Sequence, residues 1–96
     1  VSKQTPENLV KREVKDWLTL MGWFHFPILQ GLGSYPGIPD IIAVKNGVVL
    51  FIECKAPGGQ LSEAQRKFRQ RIYREGCHYI KAHSFEDIED YLEWEL

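Results

Sequence analysis

The sequence predicts an α/β domain: one mixed β-sheet flanked by helices, with elements in the order α-β-β-β-α-β-α. Three observations carry that reading. Two β-branched runs, Ile38 to Lys45 and Val48 to Lys55, are separated by Asn46-Gly47, a strong two-residue hairpin signal. Before them, Val10, Val14, Leu18 and Met21 recur at helical spacing. After them, Ser62-Glu63-Ala64-Gln65 is a capping box that opens a second helix. A length of 96 residues fits a single domain spanning 1–96.

The elements follow in order. Thr5 is the expected N-cap of the first helix, with Pro6 at its first turn, and Gly22 ends it. Trp23 to Leu29 reads as a first strand, and Pro27 places it at an edge or a bulge. Residues 30–37 hold three glycines and a proline and read as a loop. The hairpin strands come next, then a Pro57-Gly58-Gly59 loop. Phe68 and Ile72 continue the second helix to Gly76. Cys77 to Ala82 is a fourth strand. Ser84 caps a last helix reaching about Trp94, with Phe85, Ile88, Tyr91 and Leu92 on its apolar side.

Composition narrows the function classes. Apolar residues are 44% of the chain and charged residues 26%, as in a folded globular domain rather than a disordered one. No run approaches the ~20 apolar residues of a membrane helix, and no basic-then-apolar leader opens the chain. Cys54 and Cys77 lack disulfide or zinc spacing and read as small core hydrophobes, which fits a reducing cytoplasm. Net charge is −1, yet residues 83–96 hold six acids and no Lys or Arg. The other residues therefore carry all 12 bases against seven acids, enough for a basic face that binds nucleic acid.

The hairpin makes a geometric prediction. A two-residue turn pairs Lys45 with Val48, and the same pairing carried back along both strands sets Asp40 opposite Glu53. Opposed residues share a face, with Cβ atoms about 4.5–5.5 Å apart, and Lys55 points the same way as Glu53. Both faces of the hairpin are otherwise apolar, so both strands are expected to be central and covered on both sides. Two carboxylates in such a place repel and need cations. Lys55 is one, and a divalent metal would supply the rest. The Cys54 backbone carbonyl, between Glu53 and Lys55, is placed to complete the coordination.

A third acid comes from the first helix. Glu7 falls on the same angle as the Val10, Val14, Leu18 stripe, and Glu13 lies about 120° away on the flank. Glu7 is the preferred candidate and Glu13 the fallback. Glu7 also reads as a plain first-turn acid favoured by the helix dipole. Gln65 shares a face with Phe68 and Ile72 and looks inward, though it also serves the capping box. Acids, a lysine and Mg²⁺ or Mn²⁺ together suit phosphodiester hydrolysis. Candidate DNA contacts are Ser34 and Tyr35 in the glycine-rich loop, with Arg66 and Lys67 on the second helix. That loop reads equally well as plain connection. His25, His78 and His83 lack ligand spacing and read as structural or surface residues. Trp17, Trp23 and Trp94 read as core or interface residues.

Gly37-Ile-Pro-Asp40, followed after twelve residues by Glu53-Cys-Lys55, resembles the PD-(D/E)XK nuclease signature. The stretch Phe51-Ile-Glu-Cys-Lys-Ala-Pro-Gly-Gly59 with Leu61-Ser-Glu-Ala-Gln65 resembles more specifically the virus-type replication-repair nuclease (VRR-NUC) domain, in its small stand-alone form. The likeness runs from Glu7 to the last helix and is strongest over residues 37–68. It implies a restriction-endonuclease-like αβββαβ core, here with an extra C-terminal helix. It also implies Mg²⁺- or Mn²⁺-dependent cleavage of structured DNA, with a Holliday-junction resolvase acting as a homodimer as the leading reading. By position, Asp40, Glu53 and Glu7 would be metal ligands, Lys55 the catalytic lysine, and Gln65 the glutamine after the motif. Cys54 replaces a more usual aliphatic residue, which is harmless if only its carbonyl is used. The rival readings are a flap, end-processing or restriction-type nuclease, and a nuclease-like DNA-binding module without catalysis.

Overall fold

The computed structural model describes residues 5–96. Its elements are α1 (Pro6–Leu20), β1 (Phe24–Pro27), β2 (Ile41–Lys45), β3 (Val48–Cys54), α2 (Glu63–Arg74), β4 (His78–Ala82) and α3 (Phe85–Glu95). That is the expected order. The strands are shorter than the apolar runs suggested. β1 loses Trp23, Ile28 and Leu29, and β2 begins after Pro39 and Asp40 rather than at Ile38. β3 stops before Lys55, and β4 starts after Cys77.

The sheet order is β1-β2-β3-β4. The first three strands are antiparallel, and β4 runs parallel to β3. Pro27 sits on the edge strand, where its missing N–H is tolerated. The turn behaves as its residues require. Asn46 and Gly47 both take positive φ, 50° and 80°, and Lys45 pairs with Val48.

Local caps set where the helices start. The Thr5 hydroxyl accepts the Asn8 N–H at 3.1 Å. Ser62 and Gln65 form the reciprocal capping box. The third cap differs from expectation. Ser84 occupies the N-cap position but makes no side-chain cap bond. Glu13 on α1 reaches across instead and accepts the Phe85 N–H at 3.2 Å.

Alternation along the strands sorts the two faces. Ile41, Ala43, Leu50, Ile52, Cys54, Ile80 and Ala82 turn toward α1 and α3, and meet Val10, Val14, Trp17, Leu18 and Ile88 in one dry cluster. The other face is covered only in part, contrary to the expectation of two covered faces. Phe68 of α2 packs on Phe51 and Tyr79, with ring centroids 6.0 and 6.3 Å apart. One helix about 10 Å wide spans roughly two strands at ~4.8 Å spacing. The β1–β2 half is left open, with Phe24 69% and Phe26 40% exposed, and the adjoining Val49 of β3 is 37% exposed. Cys54 is buried as expected, but Cys77 is exposed just after α2. Among the described residues, no helix is long and apolar enough to cross a membrane.

Candidate active site

The open end of the β2–β3 hairpin gathers Asp40, Glu53 and Lys55. The route by which it does so differs from the face-sharing pair expected. The ladder ends at Ile41 opposite Ile52, and the Asp40 N–H donates to the Ile52 carbonyl at 3.1 Å. Asp40 and Ile41 thus both sit against Ile52, a bulge that removes Asp40 from direct opposition to Glu53. The Asp40 carboxylate instead lies along the edge of β3, where its Oδ2 accepts the Cys54 N–H at 2.8 Å. A side chain takes the place of the next strand carbonyl.

Two more groups fix Asp40. The Gln30 amide donates to its Oδ1 at 3.0 Å and to the Ile38 carbonyl at 3.2 Å. Lys11 Nζ stands 3.5 Å from the same Oδ1. Sequence reasoning missed both residues. Lys11 had a signal, since it lies one helical turn after Glu7 on the same side. Gln30 had none, because only the fold brings its loop to Asp40.

Glu53 is 2% exposed. Its Oε2 lies 3.9 Å from Lys55 Nζ, and its Oε1 is buried with no hydrogen-bond partner among the described residues. Burial first, and the charge of Asp40 second, push its carboxyl up to about 8. Such a carboxyl holds its proton at neutral pH unless a cation replaces it. The Tyr79 hydroxyl, on the same sheet face, is likewise buried without a partner. Burial and then the Glu53 charge raise its pKa as well.

Glu7 does not close a three-carboxylate cage. Its Oε2 pairs with Lys11 Nζ at 3.6 Å, so the ammonium is shared between Glu7 and Asp40. Among the described residues, no three His, Cys, Asp or Glu side chains gather closely enough to hold an ion by themselves. Glu13 is committed to the start of α3. Gln65 spends its carbonyl oxygen on the Ser62 N–H.

The remaining donor set still fits a hard cation. Asp40 and the partnerless Oε1 of Glu53 supply carboxylate oxygen, which suits Mg²⁺ or Mn²⁺. Within one strand residue the N–H and C=O point the same way, so the Cys54 carbonyl faces the Asp40 side. Its two potential strand donors are spoken for: Pro39 has no N–H, and the Ile38 N–H donates to the Tyr35 carbonyl. The thiol takes no part, since burial pushes it up to about 12.

The expected DNA contacts are spread more widely. Ser34 donates its hydroxyl proton to the Gly31 carbonyl at 2.7 Å, inside the loop. Arg66 donates to the Leu61 carbonyl at 2.7 Å. Lys67 makes only an exposed pair with Glu63, which phosphate readily replaces. Tyr35 is 65% exposed and packs edge-on against Phe68. It lines an apolar groove of about 650 Å³ with Pro36, Phe68 and Ile72, rimmed by Lys67 and Arg71. Gly37 ties this loop to α2: at φ 79° a Cβ would strike the Ala64 carbonyl and lie 2.8 Å from the Gln65 nitrogen. The histidines are structural, bonded to Thr19, to Tyr91 and to the Ala56 carbonyl.

Comparisons with known proteins identify the family and the fold. The model of the VRR-NUC domain matches residues 3–86. A solved structure described as a VRR_NUC domain superposes with a TM-score of 0.78, covering 96% of this chain and 99% of that one at 21% identity. Acyrthosiphon pisum secondary endosymbiont phage 1 encodes a relative described as "Putative nuclease p44". It is 38% identical over 45 residues, which are 46% of this chain and 48% of that protein. The match therefore spans about half the length of the phage relative.

Proposed function

The chain belongs to the VRR-NUC domain family, and on that premise we propose that it is a divalent-metal-dependent endonuclease for branched DNA, acting on four-way junctions as a homodimer. The observation that carries the metal reading is Glu53 Oε1, a buried carboxylate oxygen with no partner among the described residues, on a group raised to about 8 beside Asp40. A buried acid left in that state costs stability, and a cation at that position offsets the cost.

Asp40, Glu53 and the Cys54 carbonyl would hold Mg²⁺ or Mn²⁺. Such an ion, when bound, polarises a phosphoryl oxygen and lowers the pKa of water. The chain's own residues do the rest. The Cys54 N–H and the Gln30 amide hold the Asp40 carboxylate at a fixed angle. Lys55, 15% exposed at its side chain, presents an ammonium that orients the attacking water and stabilises charge growing on the phosphoryl oxygens. The water oxygen bonds to phosphorus while the P–O bond to the leaving strand breaks, the water losing one proton to solvent and the leaving oxygen taking one from it.

Two features support the substrate and the dimer. One chain carries one such site, whereas resolving a four-way junction needs two nicks on opposed strands, which a C₂ pair supplies. The open part of the sheet exposes Phe24 and Phe26 of β1 and Val49 of β3, an apolar surface suited to a second copy.

The test is a cleavage panel of junction, flap and linear duplex DNA in Mg²⁺ or Mn²⁺. Preferential paired nicking of the junction is expected, with loss of cutting in Lys55→Ala. Equal cutting of linear duplex or flap would move the reading to a restriction-type or end-processing nuclease. No cutting and no Mn²⁺ binding would leave a DNA-binding module. In sedimentation, Phe24→Glu with Val49→Arg should convert a dimer to a monomer, and an unchanged mass would place the interface elsewhere.

A further inference from the structure

Lys11 occupies an unusual place: it comes from α1, yet its ammonium is shared by Glu7 and Asp40 at 3.6 and 3.5 Å. An ionised carboxylate offers about four lone-pair sites. Asp40 already meets three donors, from Cys54, Gln30 and Lys11. An incoming cation must compete with one of them. The Cys54 N–H is fixed in β3, and the Gln30 amide is anchored a second time at the Ile38 carbonyl. Lys11 alone sits beyond hydrogen-bond length, on a flexible stem, with 29% of its side chain exposed. It is the donor that gives way.

We propose that Lys11 is the resident counter-ion of Asp40, that a divalent cation displaces it, and that the freed ammonium then holds a DNA phosphate. This deepens the reading above and rests on its metal site. Charge balance supports the exchange. Once a cation has replaced the Glu53 proton and all groups are ionised, Glu7, Asp40 and Glu53 exceed Lys11 and Lys55 by one negative charge. A dication alone leaves one positive charge, and one phosphodiester then restores neutrality. Metal and DNA therefore favour each other's binding. Glu7 keeps the displaced ammonium near the site, which makes it a positioning residue rather than a ligand. Burial lowers the affinity of Lys11 for its proton, but the charges of Asp40 and Glu7 more than offset this, so it remains an ammonium.

The experiment measures Mn²⁺ binding by calorimetry, with and without four-way junction DNA, for wild type, Lys11→Met, Lys11→Arg and Asp40→Asn. Without DNA, Lys11→Met should bind Mn²⁺ about tenfold more tightly than wild type, within the usual range of coupling between two ligands. It should also lose most of the gain in Mn²⁺ affinity that DNA gives the wild type, while Lys11→Arg keeps that gain. Lys11→Met binding no tighter than a folded wild type, with Asp40-dependent binding intact, overturns the counter-ion role alone. Lys11→Gln, read the same way, guards against a folding defect peculiar to methionine. Absence of Asp40-dependent Mn²⁺ binding in the wild type overturns the metal site and this inference together.

Discussion

The two ends of the β2–β3 hairpin share the same strands and differ in almost everything else. At the turn end, Asn46 and Gly47 adopt the positive φ their types favour, and the ladder is regular from Lys45↔Val48 to Ile41↔Ile52. At the open end the ladder bulges, a carboxylate replaces a strand carbonyl, and a buried oxygen lacks a partner. The turn end obeys every local rule, and the open end breaks several within a few residues. Local rules broken together mark where a fold gives up stability for chemistry.

Four substitutions break or sharpen that contrast, beginning with the largest effect. Lys55→Ala at the open end should slow junction cleavage by about 10²–10³-fold, the usual cost of removing one group that stabilises transition-state charge. Its melting temperature should stay near that of the wild type, and single-turnover kinetics would show the loss in the chemical step.

Next, Gly37→Ala should lower stability by well over the ~1–2 kcal/mol of a left-handed backbone, because the added Cβ also meets the first turn of α2. Urea unfolding reads this directly, and a loss under 1 kcal/mol would show that the loop is not clamped there.

Glu53→Gln tests the buried acid. The ordinary carboxyl value is 4.5 and the folded one about 8, so between them the folded chain holds a proton that the unfolded chain has released. Without metal, this group's contribution to stability is full below about 4.5 and is lost as pH rises toward about 8. Wild-type melting temperature should therefore fall across that window in chelated buffer, and Glu53→Gln should flatten the fall. Added Mn²⁺ should stabilise the wild type increasingly as pH rises, and should leave Glu53→Gln unmoved. Parallel pH profiles for both proteins would contradict the burial argument.

The smallest effect belongs to the turn. Gly47→Ala should cost about 1–2 kcal/mol through its positive φ and leave cleavage rates per folded molecule unchanged. A large activity loss there would mean that strain travels the length of the hairpin.

Much of the frame was legible because its signals are local. Thr5-Pro6, Ser62 to Gln65 and Asn46-Gly47 each act within four residues, and each does what its chemistry demands. Strand alternation put Ile41, Ala43, Leu50, Ile52 and Cys54 together on one face, and that face carries the core, but alternation did not tell the core face from the other. Misreadings came where distant segments decide. Glu13 was weighed for the site, yet it caps α3 across 72 residues of sequence. Regular pairing placed Asp40 opposite Glu53, whereas Pro39 cannot donate to a ladder and the strand bulges beside it. Gln30 and Lys11 escaped notice because their meeting at Asp40 depends on a loop and a helix docking on the same strand end. The half-open face escaped because apolar alternation reports which side can be covered, not how wide the covering helix is.

The Cys54 N–H bonded to Asp40 has a practical consequence. On the proposed function, Asp40 would be a metal-holding group as well as the structural splice it already is between two strands. Changing it to alanine would silence the protein and fray the hairpin at once, so such a variant makes a poor inert decoy for trapping DNA. Lys55, which among the described residues binds its neighbours only through one long ion pair and its main chain, is the cleaner position at which to make one.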